Sequence, residues 1–267
     1  MMRYAALNHE LPRVIERVYQ QGARVIVDYA KENCRPSEAP DVVWRTNTIT
    51  KALPVDALCA IKLTSFGSRE DPTFAKSCAE DVIRCAKSRG VRVCIDAEDV
   101  LYPEMCTSLM EEYNNPGGPP TVYKTYQMYR VDAVRELTRD IESGVPLGVK
   151  LVRGAYLHRQ QDPVFPFKSL VDESFRKGME LVLDAPHVHT IVATHNTEDV
   201  TFAQSQGLEV AQLLGMHADD VDYIYVPYGN LRELTPYLWR RFVERLGWVI
   251  SYQGSSPNFS SDGPTYL

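Results

Sequence analysis

Short apolar runs alternate with longer stretches of helical periodicity along nearly the whole chain. The runs ARVIVDY (23–29), ALCAIKL (57–63), VRVCID (91–96), TVYKTY (121–126), LGVKLV (147–152), HTIVAT (189–194), LEVAQLL (208–214) and DYIYVP (222–227) are each of strand length and rich in β-branched or aromatic residues. Between them, helical patterns stand out at 70–88, 130–142, 170–183 and 230–246, the third following the Pro-rich loop DPVFPF. Eight strands separated by helical patterns predict a parallel sheet with crossover helices. The opening MMRYAALNHELPRVIERVYQ reads as an amphipathic helix already inside the fold. Segment 33–55, with CRPSEAP and a TNT run, is the least regular connection and shows no long helix. NNPGGPP at 114–120 reads as a turn leading into a strand.

A chain of 267 residues with 44% hydrophobic content suits one α/β domain spanning 1–267. The expected architecture is a (β/α)8, TIM-like barrel, regular or distorted, a fold of about 250 residues, whose last helix takes part in binding substrate. No internal repeat, low-complexity tract or linker divides it. A net charge of −6 argues against a nucleic-acid surface, which would need clustered Lys and Arg to neutralise phosphates. No run approaches the ~20 apolar residues of a membrane span. The N-terminus has neither the apolar core of a signal peptide nor the Arg/Ser-rich, acid-poor character of a transit peptide. All six cysteines lie in the first half, without CxxC or zinc spacing, and read as reduced thiols. Cys78 and Cys85 share a helix face that suits core packing.

Barrel enzymes carry their working groups at the C-terminal ends of the strands. Lys62 closes the second run, Asp96 and Glu98 the third, Arg153 and Tyr156 follow the fifth, and Thr194, His195 and Asn196 close the sixth. Singly, each has a plain structural role: Asp96 a helix cap, Lys62 a solvated strand end, His195 a hydrogen-bonded rim residue. Their recurrence at one end of successive strands is what points to a site. In the last helix Tyr237, Arg240, Arg241 and Glu244 recur at helical spacing and share one face. Two adjacent guanidiniums beside a tyrosine form a receptor for a carboxylate, with Glu244 able to hold Arg240; an ordinary solvent-facing Arg/Glu face is the alternative. GxGxxG, GxxxxGK[ST] and GxSxG motifs do not occur. His187 and His189 have HxH spacing but start their strand, the wrong end for catalysis, so no metal is expected.

The segments VIVDYAKE (25–32), IKLT (61–64), IDAED (95–99), TYQMY (125–129), VKLVRGAYL (149–157), ATHN (193–196), AQLLGM (211–216) and YVPYGNLRELTPYLWRRFVE (225–244) together resemble the proline dehydrogenase family over nearly the whole chain. KLVRGAY and the YxxRRxxE helix are the specific elements. YVPYG and PYL are similar to eukaryotic, fungal-type members.

The resemblance implies a flavin-binding barrel that uses FAD to oxidise L-proline to Δ1-pyrroline-5-carboxylate. It implies that Arg240 and Arg241 clamp the substrate carboxylate with Lys62 as a third cation, and that Tyr156, Tyr225, Leu214 and Tyr237 contribute walls. Asp96, Ala97, Lys124, Lys150, Val152, Arg153, Gly154, Ala155, Lys168, Thr194, His195, Asn196, Gln212 and Glu244 become candidates for holding the flavin. Lys150, polar in an apolar strand, would stabilise negative charge on a reduced flavin, and Gly154 would let the backbone approach the cofactor. A quinone-type electron acceptor and a mitochondrial address are implied as well, although no transit peptide is visible and a cytoplasmic address is the alternative. No general base stands out, so loss of the amine proton to solvent is the simplest expectation. Proline, another cyclic imino acid such as hydroxyproline or pipecolate, and a non-catalytic binding role are the three readings that follow.

The chain departs from the family pattern at several points. Lys124 stands where Gln or Asn is usual, Arg245 where Asn follows RRxxE, Leu157 where bacterial members are aromatic, and VDESF (171–175) replaces a Thr-Asp-x-Ser-Tyr pattern. It also begins late relative to typical eukaryotic members.

Overall fold

The computed structural model describes residues 4–155, 162–218 and 220–239. In chain order they form β1 (Ala6–Leu7), α1 (Leu11–Gln20), β2 (Arg24–Tyr29), α2 (Ala39–Thr50), β3 (Leu58–Ile61), α3 (Pro72–Ser88), β4 (Arg92–Ile95), α4 (Pro103–Tyr113), β5 (Val122–Gln127), α5 (Ala133–Glu142), β6 (Gly148–Val152), α6 (Lys168–Leu183), β7 (His189–Ala193), α7 (Thr197–Ser205), β8 (Glu209–Leu213) and β9 (Tyr223–Gly229). Residues 231–239 are helical.

Strands β2 to β9 pair in parallel in sequence order, and β9 pairs with both β8 and β2, so the sheet closes into an eight-stranded barrel. The short β1 adds to β9 from outside that circle. All eight expected strands are present within a few residues of their sequence boundaries.

Closure follows from alternation along each strand. Ile26, Leu58, Ala60, Cys94, Tyr123, Ile191, Ala211, Tyr223 and Tyr225 form a core inside the barrel. Their strand neighbours, among them Val27, Cys59, Val93, Val149, Leu151, Val192 and Val226, face the surrounding helices in a second, larger core. The lower end is sealed by polar side chains: Arg24 donates to Glu209 at 2.5 Å, and Arg92 to the Tyr123 and Tyr223 hydroxyls at 2.9 and 2.6 Å. All six cysteines are free thiols, and Cys78 is buried while Cys85 is only partly so.

The segment 33–55 differs from expectation, because it contains α2. Pro40 falls in the first turn, where proline is tolerated, but the TNTIT stretch at its end, mostly β-branched, is a weak helix former. Tertiary packing overrides it: Ala39, Val42, Thr46 and Thr50 are buried on the face turned to α3. Thr48 and Thr50 return their hydroxyls to the carbonyls of Trp44 and Thr46, each at 2.8 Å. Among the described residues, no helix is long and apolar enough to cross a membrane.

Candidate active site

A cavity opens at the C-terminal end of the barrel. Its floor and walls come from successive strands: Asp28 from β2, Lys62 after β3, Asp96 after β4, Thr125 and Gln127 on β5, Lys150 and Val152 on β6, Ala193 on β7, Leu213 on β8 and Tyr225 on β9. The segment Arg153–Ala155, with Thr194, His195, Gln212 and Tyr237, completes the lining. The alternation that fills the barrel with Ile26, Leu58 and Cys94 therefore ends in charged groups at the top.

Two buried ion pairs dominate this ring. Lys62 donates to Asp28, with both side chains almost fully buried. Lys150 donates to Asp96 Oδ1 at 2.6 Å, and the Tyr225 hydroxyl donates to Asp96 Oδ2 at 2.6 Å. The Lys150 ammonium also lies 4.9 Å from the centre of the Tyr225 ring. Isolated buried charges are costly, whereas paired and hydrogen-bonded ones are tolerated. Burial pushes the Asp28 carboxyl up to about 6, a rise that Lys62 only partly offsets. Burial also works against ionised Asp96, but Lys150 and Lys62 together hold it below the usual carboxylate range. Lys62 and Lys150 are both desolvated, yet the carboxylates around them raise their pKa above the ordinary lysine value.

Arg153 is held from outside the ring. Its guanidinium donates to Asp172 on α6 and to Asp199 on α7, the latter at 2.5 Å, and it packs 5.1 Å from the Phe175 ring centre. Its Nε is buried without a hydrogen-bond partner among the described residues. So is the Oε1 of Gln127, whose amide nitrogen donates to the Ala97 and Glu98 carbonyls at 3.1 and 3.2 Å. One unused donor and one unused acceptor in the wall of a cavity are what a bound polar ligand would satisfy.

Several residues expected at the cofactor or, for Leu214, at the substrate wall lie elsewhere or have other partners. Lys124 points away from the cavity: strand alternation sends Thr125 and Gln127 inward and Lys124 outward, where it meets Asp140 at 2.6 Å and Glu136 at 2.8 Å on α5. Leu214 is buried in the outer core, and Leu213 is the leucine on the cavity. Asn196 caps α7, accepting from the backbone N–H groups of Glu198 and Asp199 at 3.0 and 3.1 Å. Lys168 pairs with Asp172 at 2.6 Å, next to Arg153 but outside the cavity lining. Gly154 does line the cavity, and packing supplies a further reason for glycine there. At φ +130° a Cβ there would lie 1.9 Å from the Tyr129 ring.

Asp96, Ala97, Lys150, Val152, Arg153, Ala155, Thr194, His195, Gln212, Tyr225, Tyr237 and Lys62 are brought together around the one cavity. Gln212 is fixed by donating to the Thr194 carbonyl at 3.1 Å while accepting from Ala218 N–H at 2.8 Å. The His195 Nε2 accepts from Leu213 N–H at 3.2 Å. Tyr156, Arg240, Arg241 and Glu244, with Leu157 and Arg245, lie outside the described residues. Sequence reasoning missed Asp28, Thr125 and Gln127 on the cavity, and Asp172 and Asp199 behind Arg153. Asp28 had a visible signal, being a carboxylate next to the last residue of a strand run. His189 is exposed at the lower end of β7, away from the cavity.

A parallel eight-stranded barrel with charged groups at the C-terminal ends of its strands is the architecture of a barrel enzyme. A family model described as proline dehydrogenase matches residues 11–246, and the chain belongs to that family. Human hydroxyproline dehydrogenase is 35% identical over 205 residues, covering 61% of this chain and 45% of the human protein. Human mitochondrial proline dehydrogenase 1 is 32% identical over 199 residues, covering 60% of this chain and 33% of that one. The chain thus spans less than half the length of these curated relatives. In structure, proline utilization A from Bdellovibrio bacteriovorus superposes with a TM-score of 0.78 at 20% identity, covering 97% of this chain and 34% of that one, which shows a shared fold.

Proposed function

We propose that this protein oxidises L-proline to Δ1-pyrroline-5-carboxylate with FAD as the bound electron acceptor. The observation that carries this reading is the gathering of Lys62, Asp96, Lys150 and Tyr225 around one cavity in a barrel of the proline dehydrogenase family. The cavity wall fits a polar cofactor, since Arg153 Nε and Gln127 Oε1 are buried and unsatisfied there. Lys150, Arg153, Gln127, Thr194, His195 and Gln212 are the residues that would hold it.

Bound flavin supplies a two-electron acceptor for the hydride that leaves proline C5. The chain's own contribution is to bind, orient and exclude water. Lys62, a cation fixed by Asp28, and the Arg240 and Arg241 pair read from the sequence would hold the substrate carboxylate. Orientation of this kind lowers a barrier by up to ~7 to 11 kcal/mol in ideal cases. Tyr225, tied to Asp96, presents a rigid ring as a wall, and Tyr237 and Leu213 extend the apolar surface. The amine proton leaves to solvent. A mitochondrial address belongs to the same reading, supported by relatives named as mitochondrial, and the quinone-type electron acceptor implied by the family resemblance completes it.

The test is direct. Purified protein should carry flavin, and its visible absorption should bleach anaerobically on addition of L-proline; failure to bind flavin under any condition would remove the reading. Hydroxyproline is the second candidate substrate, favoured by the 35% identity to human hydroxyproline dehydrogenase. Faster bleaching by hydroxyproline than by proline would select it.

A further inference from the structure

The cavity holds two lysines, and they are paired differently. Lys150 shares Asp96 with the Tyr225 hydroxyl. Lys62 follows β3, and its ammonium reaches the Asp28 carboxylate on the neighbouring strand β2, where Asp28 is in register with Ala60. Lys62 and Asp28 are 6% and 2% exposed, so water contributes little to keeping either one ionised. The groups facing the Lys62 ammonium are Asp28 and Glu32 from the β2 side, Asp96 and Glu98 from the β4 side, and Lys150 and Tyr225 across the cavity. The Cys59 thiol lies on the outer side of the same strand. Among these, Asp28 is the carboxylate hydrogen-bonded to it.

We propose that Asp28 is a positioning residue that acts through Lys62, fixing its ammonium in the cavity and keeping it charged so that it can receive a substrate carboxylate. The proposal rests on the reading of this cavity as the site of a carboxylate substrate. A lysine buried this deeply loses its proton easily when nothing offsets desolvation, and documented cases titrate several units below the ordinary value. Asp28 offsets that penalty and removes the rotamer freedom of a long side chain. The arrangement also makes Lys62 a fixed cation rather than a proton acceptor in the working pH range. Its pKa stands above the ordinary lysine value, with Asp28 the largest favourable influence.

The test measures binding of cyclopentanecarboxylate, which has the carboxylate and ring but cannot be oxidised at a ring nitrogen, by titration calorimetry from about pH 7 to about pH 10. In the unmodified protein the affinity stays flat over this range, because Lys62 remains charged. In D28N it falls by at least about tenfold towards the alkaline end, as Lys62 loses its proton. In the double variant D28N/K62R the alkaline loss disappears, because a guanidinium does not deprotonate there. A purely structural role for Asp28 would weaken binding equally at all pH values and would not be rescued by K62R; that result overturns the proposal. Should D28N fail to fold, the unmodified protein still decides, since a steep alkaline loss of affinity in it would overturn the proposal as well. Absence of binding to the unmodified protein at every pH would instead count against the carboxylate site itself, and the proposal would fall with it.

Discussion

The Tyr225 hydroxyl donates to Asp96 Oδ2 at 2.6 Å, joining strands β9 and β4 across the mouth of the barrel. Asp96 takes Lys150 on its other oxygen, so one buried carboxylate organises two of the side chains around the cavity. Burial and the nearby Asp28 and Asp96 carboxylates drive the Tyr225 pKa well above its ordinary value, so it remains a donor throughout the accessible pH range. Y225F keeps the ring and removes this bond. Hydrogen bonds to charged groups contribute about 1.5–3 kcal/mol, and a fall of that size in urea-denaturation stability, with an unchanged m-value, is the expected result.

Lys124 and Lys150 should separate cleanly. K124M removes the ammonium from Asp140 and Glu136, which keep Tyr126 and Arg139, and Arg130, respectively, and should cost roughly 1.5–3 kcal/mol of stability, while flavin content per folded protein stays unchanged. K150M removes a cation from the cavity itself and should lower flavin retention after gel filtration. Loss of flavin in folded K124M would contradict the outward placement of this lysine.

Gly154 should tolerate no side chain. G154A puts a methyl into the Tyr129 ring at a φ that L-residues rarely adopt. Overpacking and backbone strain together should cost roughly 2–6 kcal/mol. In a Y129A background, which carries its own cavity cost, the further cost of G154A should shrink to the backbone share, which a thermal-denaturation double-mutant cycle including Y129A alone would read.

Glu98 supplies a pH signature. Burial pushes its carboxyl from the ordinary 4.5 up to about 7, although it accepts bonds from the Thr64 N–H and hydroxyl at 3.2 and 2.7 Å. Because the folded state holds this proton more tightly than the unfolded chain, the associated stability is fully present below pH 4.5 and is lost as pH rises through about 7. E98Q cannot titrate. Relative to E98Q, the unmodified protein should lose on the order of 3 kcal/mol between those limits, and a pH-independent difference would refute the assignment.

The clamp expected from the last helix is tested by R241M. The KM for proline should rise by about two orders of magnitude, the scale set by losing a charge-assisted bond of ~3 kcal/mol, with flavin still bound. Unchanged proline kinetics would remove Arg241 from the carboxylate site.

The eight strands were legible in the linear sequence because each repeats a local period that burial enforces: one face fills the barrel and the other meets the helices. That Lys62, Asp96 and Arg153 would meet around one cavity was legible because a barrel delivers the ends of all its strands to one rim, whereas Lys150, inside a strand run, was marked by the family resemblance. The inward or outward sense of a single residue was also present in that period, and it places Lys124 between the inward Tyr123 and Thr125. Family likeness without alternation sent it to the wrong side. Helix α2 was hidden because weak local propensity is overridden by packing against α3. Only the tertiary structure decided the charge pairing. Asp28 lies 34 residues from Lys62, and Asp172 and Asp199 lie 19 and 46 residues from Arg153. Nothing local links such partners, whereas desolvation in the closed barrel requires that each buried charge find one.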